Sequence, residues 1–113
     1  MEQFFSTDKI NDIDVIRLSF NEINLEEREQ LKKDLVSVLA AGTQKFIIDF
    51  SKVGFLSSLV IATIVFFAKE VRNKGGDVKL CFLSKEARSV FEVTQLNKIF
   101  ELYNTDQDAA ASF

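Results

Sequence analysis

A chain of 113 residues fits one domain of the commonest size and leaves no room for two. Apolar residues make up 47% of it, enough for one packed core. The net charge is −3 and the Lys and Arg are scattered, with the densest pair, Lys32-Lys33, flanked by acids. That argues against a nucleic-acid partner, which demands clustered cations. In chain order, Phe4–Ser6 and Asp14–Phe20 read as strands separated by a polar turn at Asn11-Asp12. In the second, Val15, Arg17 and Ser19 alternate with Ile16, Leu18 and Phe20, the period of a half-buried strand. Leu25–Ala41 reads as an amphipathic helix with Leu31, Leu35, Val38 and Leu39 on one stripe, Asn24 as N-cap and Gly42 as stop.

Lys45–Phe50 is a short strand, apolar on both faces except at Asp49, as a central strand under helices requires. Ser57–Lys74 holds two conflicting signals. Val60, Ile61, Thr63, Ile64 and Val65 are β-branched and favour a strand. The segment is too long for one, and Gly75-Gly76 supplies a helix stop, so a buried helix capped by Ser57 or Ser58 is expected. Val78–Leu83 alternates, with Val78, Leu80 and Phe82 on one side. Ser84 caps a third helix carrying Ala87, Val90, Phe91 and Thr94 on one face. Ile99–Tyr103 is a last strand, and Asp106–Ala111 a final helical turn. Two strands followed by helix–strand three times predict an α/β domain with parallel strands joined by right-handed crossovers.

Several chemistries lack their residues. There is no His, which removes Ser-His-Asp and Cys-His pairs and the commonest metal ligand. The single Cys81 can form no internal disulfide or zinc site and reads as a small core residue, which suits a reducing cytoplasm. Lys74-Gly75-Gly76 lacks the spacing of a phosphate loop. The acid pairs Asp12/Asp14 and Asp106/Asp108 read as solvated turns. No catalytic residue, metal or cofactor is therefore expected. Met1-Glu2 does not open a signal peptide, and the apolar run Leu59–Ala68 is shorter than the roughly 20 residues that span a bilayer, so neither export nor membrane insertion is expected.

Three segments carry a family resemblance. They are Phe46-Ile47-Ile48-Asp49-Phe50-Ser51-Lys52-Val53-Gly54-Phe55-Leu56, then Lys74-Gly75-Gly76-Asp77-Val78, then Val90-Phe91-Glu92-Val93-Thr94-Gln95-Leu96-Asn97-Lys98-Ile99-Phe100. With Asn21-Glu22-Ile23-Asn24 upstream, they resemble the STAS domain family, specifically the bacterial anti-sigma factor antagonists, along nearly the whole chain. The resemblance implies one STAS domain over residues 1–113, with a mixed, mostly parallel sheet of about five strands and helices packed on it.

In that family the loop after the central strand reads Asp-Ser-Ser/Thr-Gly-Leu-Gly, and the Ser after Asp is phosphorylated. Laid on this chain, the Asp falls on Ser57, the phosphoacceptor on Ser58, the second Ser/Thr on Leu59 and the Gly on Val60. Ser57 is the second choice of acceptor. Glu22, Asn24, Ser57, Ser58, Leu59 and Val60 are the candidate partner-contact residues. Residue chemistry also allows a plain capping role for Asn24 or Ser58 and a core role for Leu59 and Val60.

The implied activity is a partner switch. The unmodified antagonist binds an anti-sigma factor that is also a serine kinase of histidine-kinase-like ATPase fold, and so frees a sigma factor. Phosphorylation releases the antagonist, and a metal-dependent serine phosphatase resets it. The resemblance leaves two alternatives. One is a cytoplasmic STAS accessory subunit of a membrane transporter, such as a lipid-exporting ABC system. The other is a constitutive, non-phosphorylated binding module, suggested by Ser57 and Val60 in place of Asp and Gly.

Overall fold

The computed structural model describes residues 4–20 and 22–113. Its sheet has five strands in the order β1 (Phe5–Ile10), β2 (Ile13–Leu18), β3 (Lys45–Asp49), β4 (Asp77–Cys81) and β5 (Leu102–Tyr103). β1 and β2 form an antiparallel hairpin, and every later pairing is parallel. The hairpin turn is Asn11-Asp12, where Asn11 takes φ +56°, a conformation Asn tolerates better than most side chains. The helices are α1 (Leu25–Leu39), α2 (Ser58–Asn73), α3 (Lys85–Val93) and α4 (Asp106–Ala111), with a 3₁₀ turn at Leu96–Lys98.

The topology dictates the layers. From β2 to β5 each crossover steps one strand in the same direction, and right-handed crossovers then place α1, α2 and α3 on one face. That face holds the main core. Ile16, Leu18, Phe46, Ile48, Phe50, Val78 and Leu80 of the strands and the segment after β3 meet Leu31, Leu35, Val60, Ile64, Phe67, Ala87 and Phe91 of the helices. Each fully buried Leu, Ile or Phe contributes about 1.5–3 kcal/mol through removal from water. Edge-to-face contacts join Phe46 to Phe67 at 5.2 Å and Phe50 to Phe91 at 6.5 Å.

No crossover helix reaches the opposite face, so α4 covers it. There Ala109 packs on Ile13, Val15, Ile47 and Cys81, with Phe82, Tyr103 and Phe113 at the margin. Cys81 is fully buried, and burial, then the nearby Asp49 and Asp106 carboxylates, push its thiol up to about 12.

Local chemistry explains the element ends. Asn24 and Glu27 make a reciprocal capping box on α1, with bonds of 2.8 and 3.0 Å. The conflict in the 57–74 segment resolves as a helix because a strand of that length could not bury Val60, Thr63, Ile64, Phe67, Ala68 and Val71 together; α2 lays all six against the core.

The structure corrects three expectations: the strand ends, the side of Phe82 and the exposure of the acid pairs. β1 and β2 end elsewhere than expected, and β5 shrinks to two residues because the turn after Leu96 continues past Lys98, with the Ile99 and Phe100 N–H groups both donating to Leu96 O at 3.0 Å. Phe82 does not share a side with Val78 and Leu80: at φ +58° it leaves the strand and packs in the cluster under α4. Asp14 and Asp106 are not solvated turn residues. Asp14 is buried in β2 and pairs with Lys9 at 2.8 Å, while Asp106 pairs with Arg17 at 3.0 Å. Phe66 is only half-buried, roofed by the Lys32 ammonium 4.5 Å from its ring centroid.

Gly76 closes α2 where the chain passes under Gln44. A Cβ there would collide with the Gln44 carbonyl oxygen and come within 2.8 Å of Val71 Cγ1. A Cβ at Gly54, in the loop after β3, would meet nothing within 4 Å. Gly76→Ala is therefore expected to lower the urea-unfolding free energy by about 1–3 kcal/mol, and Gly54→Ala to leave it within about 0.5 kcal/mol.

Candidate functional site

In a parallel sheet the loops after the strands' C-terminal ends gather at one edge, the place where α/β proteins carry their sites. Here that edge holds the segment after β2, with Glu22 and Asn24, and the segment after β3, with residues 50–57 and the start of α2. The topology thus brings the candidate residues of two distant segments to one rim of the molecule.

The loop after β3 is built on apolar anchors three residues apart. Phe50, Val53 and Leu56 are all buried in the main core. Phe50 N–H donates to Cys81 O at 3.1 Å, extending the β3–β4 ladder by one bond, and Val53 N–H donates to Phe50 O at 2.9 Å, closing a turn. With those anchors set, the residues between them face outward, and Phe55 is 60% exposed.

Ser57 then stops the extended chain and starts the helix. Its φ/ψ of −79°/162° is that of an N-cap, its hydroxyl accepts from Val60 N–H at 3.3 Å and its carbonyl accepts from Ile61 N–H at 3.0 Å. Ser58 is the first residue of the helix proper and is exposed. Of the two cap candidates, the structure assigns the task to Ser57 and leaves the Ser58 hydroxyl out of it. Ser and Asp are near-equal N-caps, so Ser57 in the place of the family Asp keeps the helix start while removing a carboxylate.

By helix geometry, the Ser58 and Leu59 N–H groups have no intrahelical acceptor. The first turn of α2 carries no acid, whereas α1, α3 and α4 each have at least one there. The positive end of the α2 dipole is therefore not offset by a side-chain carboxylate in its own first turn.

The other candidates divide. Glu22 is exposed. Asn24 is exposed too, but its side chain is committed to the α1 cap. Leu59 is half-buried, and its carbonyl accepts from Thr63 Oγ1 at 2.7 Å. Val60 is a correction. It is fully buried against the main core and presents nothing to a partner, because residue 60 lies on the inward stripe of α2 with Ile64, Phe67 and Val71. Its branched side chain is accommodated inside the molecule and leaves the surface beside Ser58 unobstructed. Asn21, part of the resemblance, lies outside the described residues.

A polar hub just behind the loop went unread in the sequence. Arg17 donates to three carboxylates: Nε to Asp8 at 2.6 Å, Nη1 to Asp49 at 2.8 Å and Nη2 to Asp106 at 3.0 Å. These bonds, led by that to Asp8, then Asp49, hold the guanidinium more firmly protonated than usual. Asp49 is buried, and its second oxygen accepts from Ser51 N–H at 2.7 Å, at the first step of the loop. The sequence trace of the hub is a charged residue in each of two largely apolar strands, Arg17 in β2, which also carries Asp14, and Asp49 in β3. Their pairing at one register position needed the sheet. Among the described residues no group of three metal-ligating side chains occurs, and no helix is long and apolar enough to cross a membrane.

The molecule is thus a single α/β sheet domain that presents a serine at a helix start on its loop rim. Its sequence from 5 to 109 matches the profile of the STAS domain, and the chain belongs to that family. It is 30% identical over 91 residues, 80% of this chain and 78% of the relative, to BtrV of Bordetella bronchiseptica, which bears the name anti-sigma factor antagonist. An anti-sigma factor antagonist of Thermotoga maritima is 28% identical over 102 residues, covering 89% of this chain and 90% of the relative. A crystal structure described as an anti-sigma factor antagonist from Thermotoga maritima superposes with a TM-score of 0.86 at 24% identity, covering 96% of this chain and 92% of that one. The phosphorylated form of SpoIIAA, a Bacillus cell-fate determinant, shares the fold with a TM-score of 0.70 at 21% identity, over 96% of this chain and 97% of that one.

The cap assignment separates the two serines by stability. Ser57→Ala is expected to lower the unfolding free energy by about 1 kcal/mol, and Ser58→Ala to change it by less than about 0.5 kcal/mol, in chemical denaturation.

Proposed function

We propose that this chain is an anti-sigma factor antagonist working as a phosphorylation-controlled partner switch, with Ser58 as the phosphoacceptor. The observation that carries the reading is the division of labour at the start of α2. Ser57 does the structural work, and Ser58, one residue on, is exposed on the same rim as Phe55, Leu59 and Glu22. In the unmodified state that rim binds an anti-sigma factor that is also a serine kinase of histidine-kinase-like ATPase fold, and a sigma factor is freed. The chain itself catalyses nothing and needs no cofactor. It is the kinase's substrate, and a metal-dependent serine phosphatase restores it.

The physics of the switch follows from the helix start. A phosphate at position 58 adds about −1.5 to −2 charges beside two free N–H groups and an uncompensated dipole. It is accommodated there without disturbing the core, because the three anchors of the loop lie on the opposite side. With no carboxylate at position 57, no like charge stands next to it. A partner packed on the same rim has to desolvate or pair that charge, which weakens the complex. The relatives named anti-sigma factor antagonists support this reading, and so does the burial of Val60. If that side chain pointed outward, it would alter the docking rim and favour a module outside the switch.

The test is incubation of the purified chain with ATP and the partner serine kinase, followed by peptide mass spectrometry and binding measurements. The wild type and Ser57→Ala are expected to take one phosphate on residue 58, and Ser58→Ala none. Ser58→Glu is expected to bind the partner at least about tenfold more weakly than Ser58→Ala does. A phosphate on Ser57 or none at all, or equal binding by Ser58→Glu and Ser58→Ala, contradicts the reading.

A further inference from the structure

α4 has only six residues and one fully buried side chain, Ala109, with Ala110 and Phe113 partly buried beside it, so its apolar contact is small beside that of the crossover helices. Two cations of the sheet grip its ends instead. Arg17 takes Asp106, its first residue, at 3.0 Å. Lys79, itself buried in β4, donates to the Ser112 carbonyl at 2.9 Å and to its hydroxyl at 2.7 Å, at the negative end of the helix. The Lys79 ammonium also pairs with Glu101 at 3.3 Å, beside β5, whereas the Arg17 grip leads to the loop after β3. The same guanidinium holds Asp49, and Asp49 holds the Ser51 N–H at the start of the loop that carries Ser57 and leads into Ser58.

We propose that Arg17 and Asp49 are positioning residues that couple the docking of α4 to the geometry of the 50–57 loop. This makes α4 a second port through which the Ser58 rim is read or biased from the far face of the sheet. The three carboxylates hold one planar guanidinium through donors in fixed directions, so loss of Asp106 removes one of the three pulls that set its plane against Asp49. When α4 lifts, Asp106 leaves, Arg17 turns toward Asp8 and Asp49, and the carboxylate that fixes Ser51 turns with it. Coupling of this kind is reciprocal: whatever binds or modifies the loop rim shifts the docking of α4 by the same free energy. The coupling rests on these contacts alone. Its use in signalling rests on the proposed switch.

Cys81, the chain's one cysteine, lies buried beneath α4 and reports its opening. The experiment follows two readouts in the full chain: the alkylation rate of Cys81 and the hydrogen exchange of the Ser51 amide by NMR. Asp106→Ala and Lys79→Met each release one end of α4, and each is expected to speed Cys81 alkylation by about three- to tenfold. Ser112→Ala loosens the Lys79 end without altering the sheet and stands in for Lys79→Met if that variant folds poorly. The Ser51 amide separates coupling from general loosening. Asp106→Ala is expected to speed its exchange by a similar factor, while release at the Lys79 end leaves it at the wild-type rate. A wild-type Ser51 rate in Asp106→Ala, or an equal acceleration by release of either end, overturns the proposal. Neither outcome depends on Ser58 being modified, so the coupling and the switch fail separately.

Discussion

The burial of Phe50, Val53 and Leu56 is the constraint on which the candidate rim depends. Three apolar side chains, evenly spaced in a segment with no regular structure, fix where the chain leaves β3 and where α2 begins. Once they are set, the residues at the rim have little freedom. Ser57 lands at the turn into the helix and caps it, Ser58 lands one step further with its hydroxyl in solvent, and Phe55 projects beside them. The serine's availability is thus a consequence of packing elsewhere, which is why a change at position 58 need not disturb the fold.

The two faces of the sheet are held by different forces. The crossover helices bury large apolar side chains, and their face is stabilised mainly by the hydrophobic effect. The other face has only a short Ala-rich helix, and charge does more of the work there, through Arg17 and Lys79 at its two ends. Removing a partner from a buried ion pair leaves an uncompensated charge, so such contacts specify one docking geometry more sharply than they add stability. The core face is thus held by many apolar contacts, and the α4 face by a small apolar cluster and a few directional bonds.

Much of this was legible in the sequence, for identifiable reasons. The period of α1, its Asn24 cap and the apolar Phe46–Phe50 run are local signals, and local rules sufficed for them. The β-branched start of α2 is legible as helix because the length of the segment and the Gly75-Gly76 stop outweigh propensity. What escaped was of two kinds. A one-residue offset decides whether Ser57 or Ser58 is the cap, and whether Val60 faces in or out, and a periodic pattern does not resolve single residues at an element's end. The Arg17 hub joins residues 32 and 89 positions apart in the chain, so no local window contains it. Phe82 belongs with these: its positive φ serves the cluster under α4, which alternation along β4 cannot foresee.

The most direct measurement is the unfolding free energy of the chain carrying phosphoserine installed at position 58 by genetic encoding, so that no kinase need be known. A helix start that welcomes an anion, with its cap supplied by the neighbouring residue, predicts a stability equal to that of the unmodified chain or higher by up to about 1 kcal/mol. A loss of more than about 2 kcal/mol would mean that the hydroxyl is part of the packing, and would contradict the account at its root.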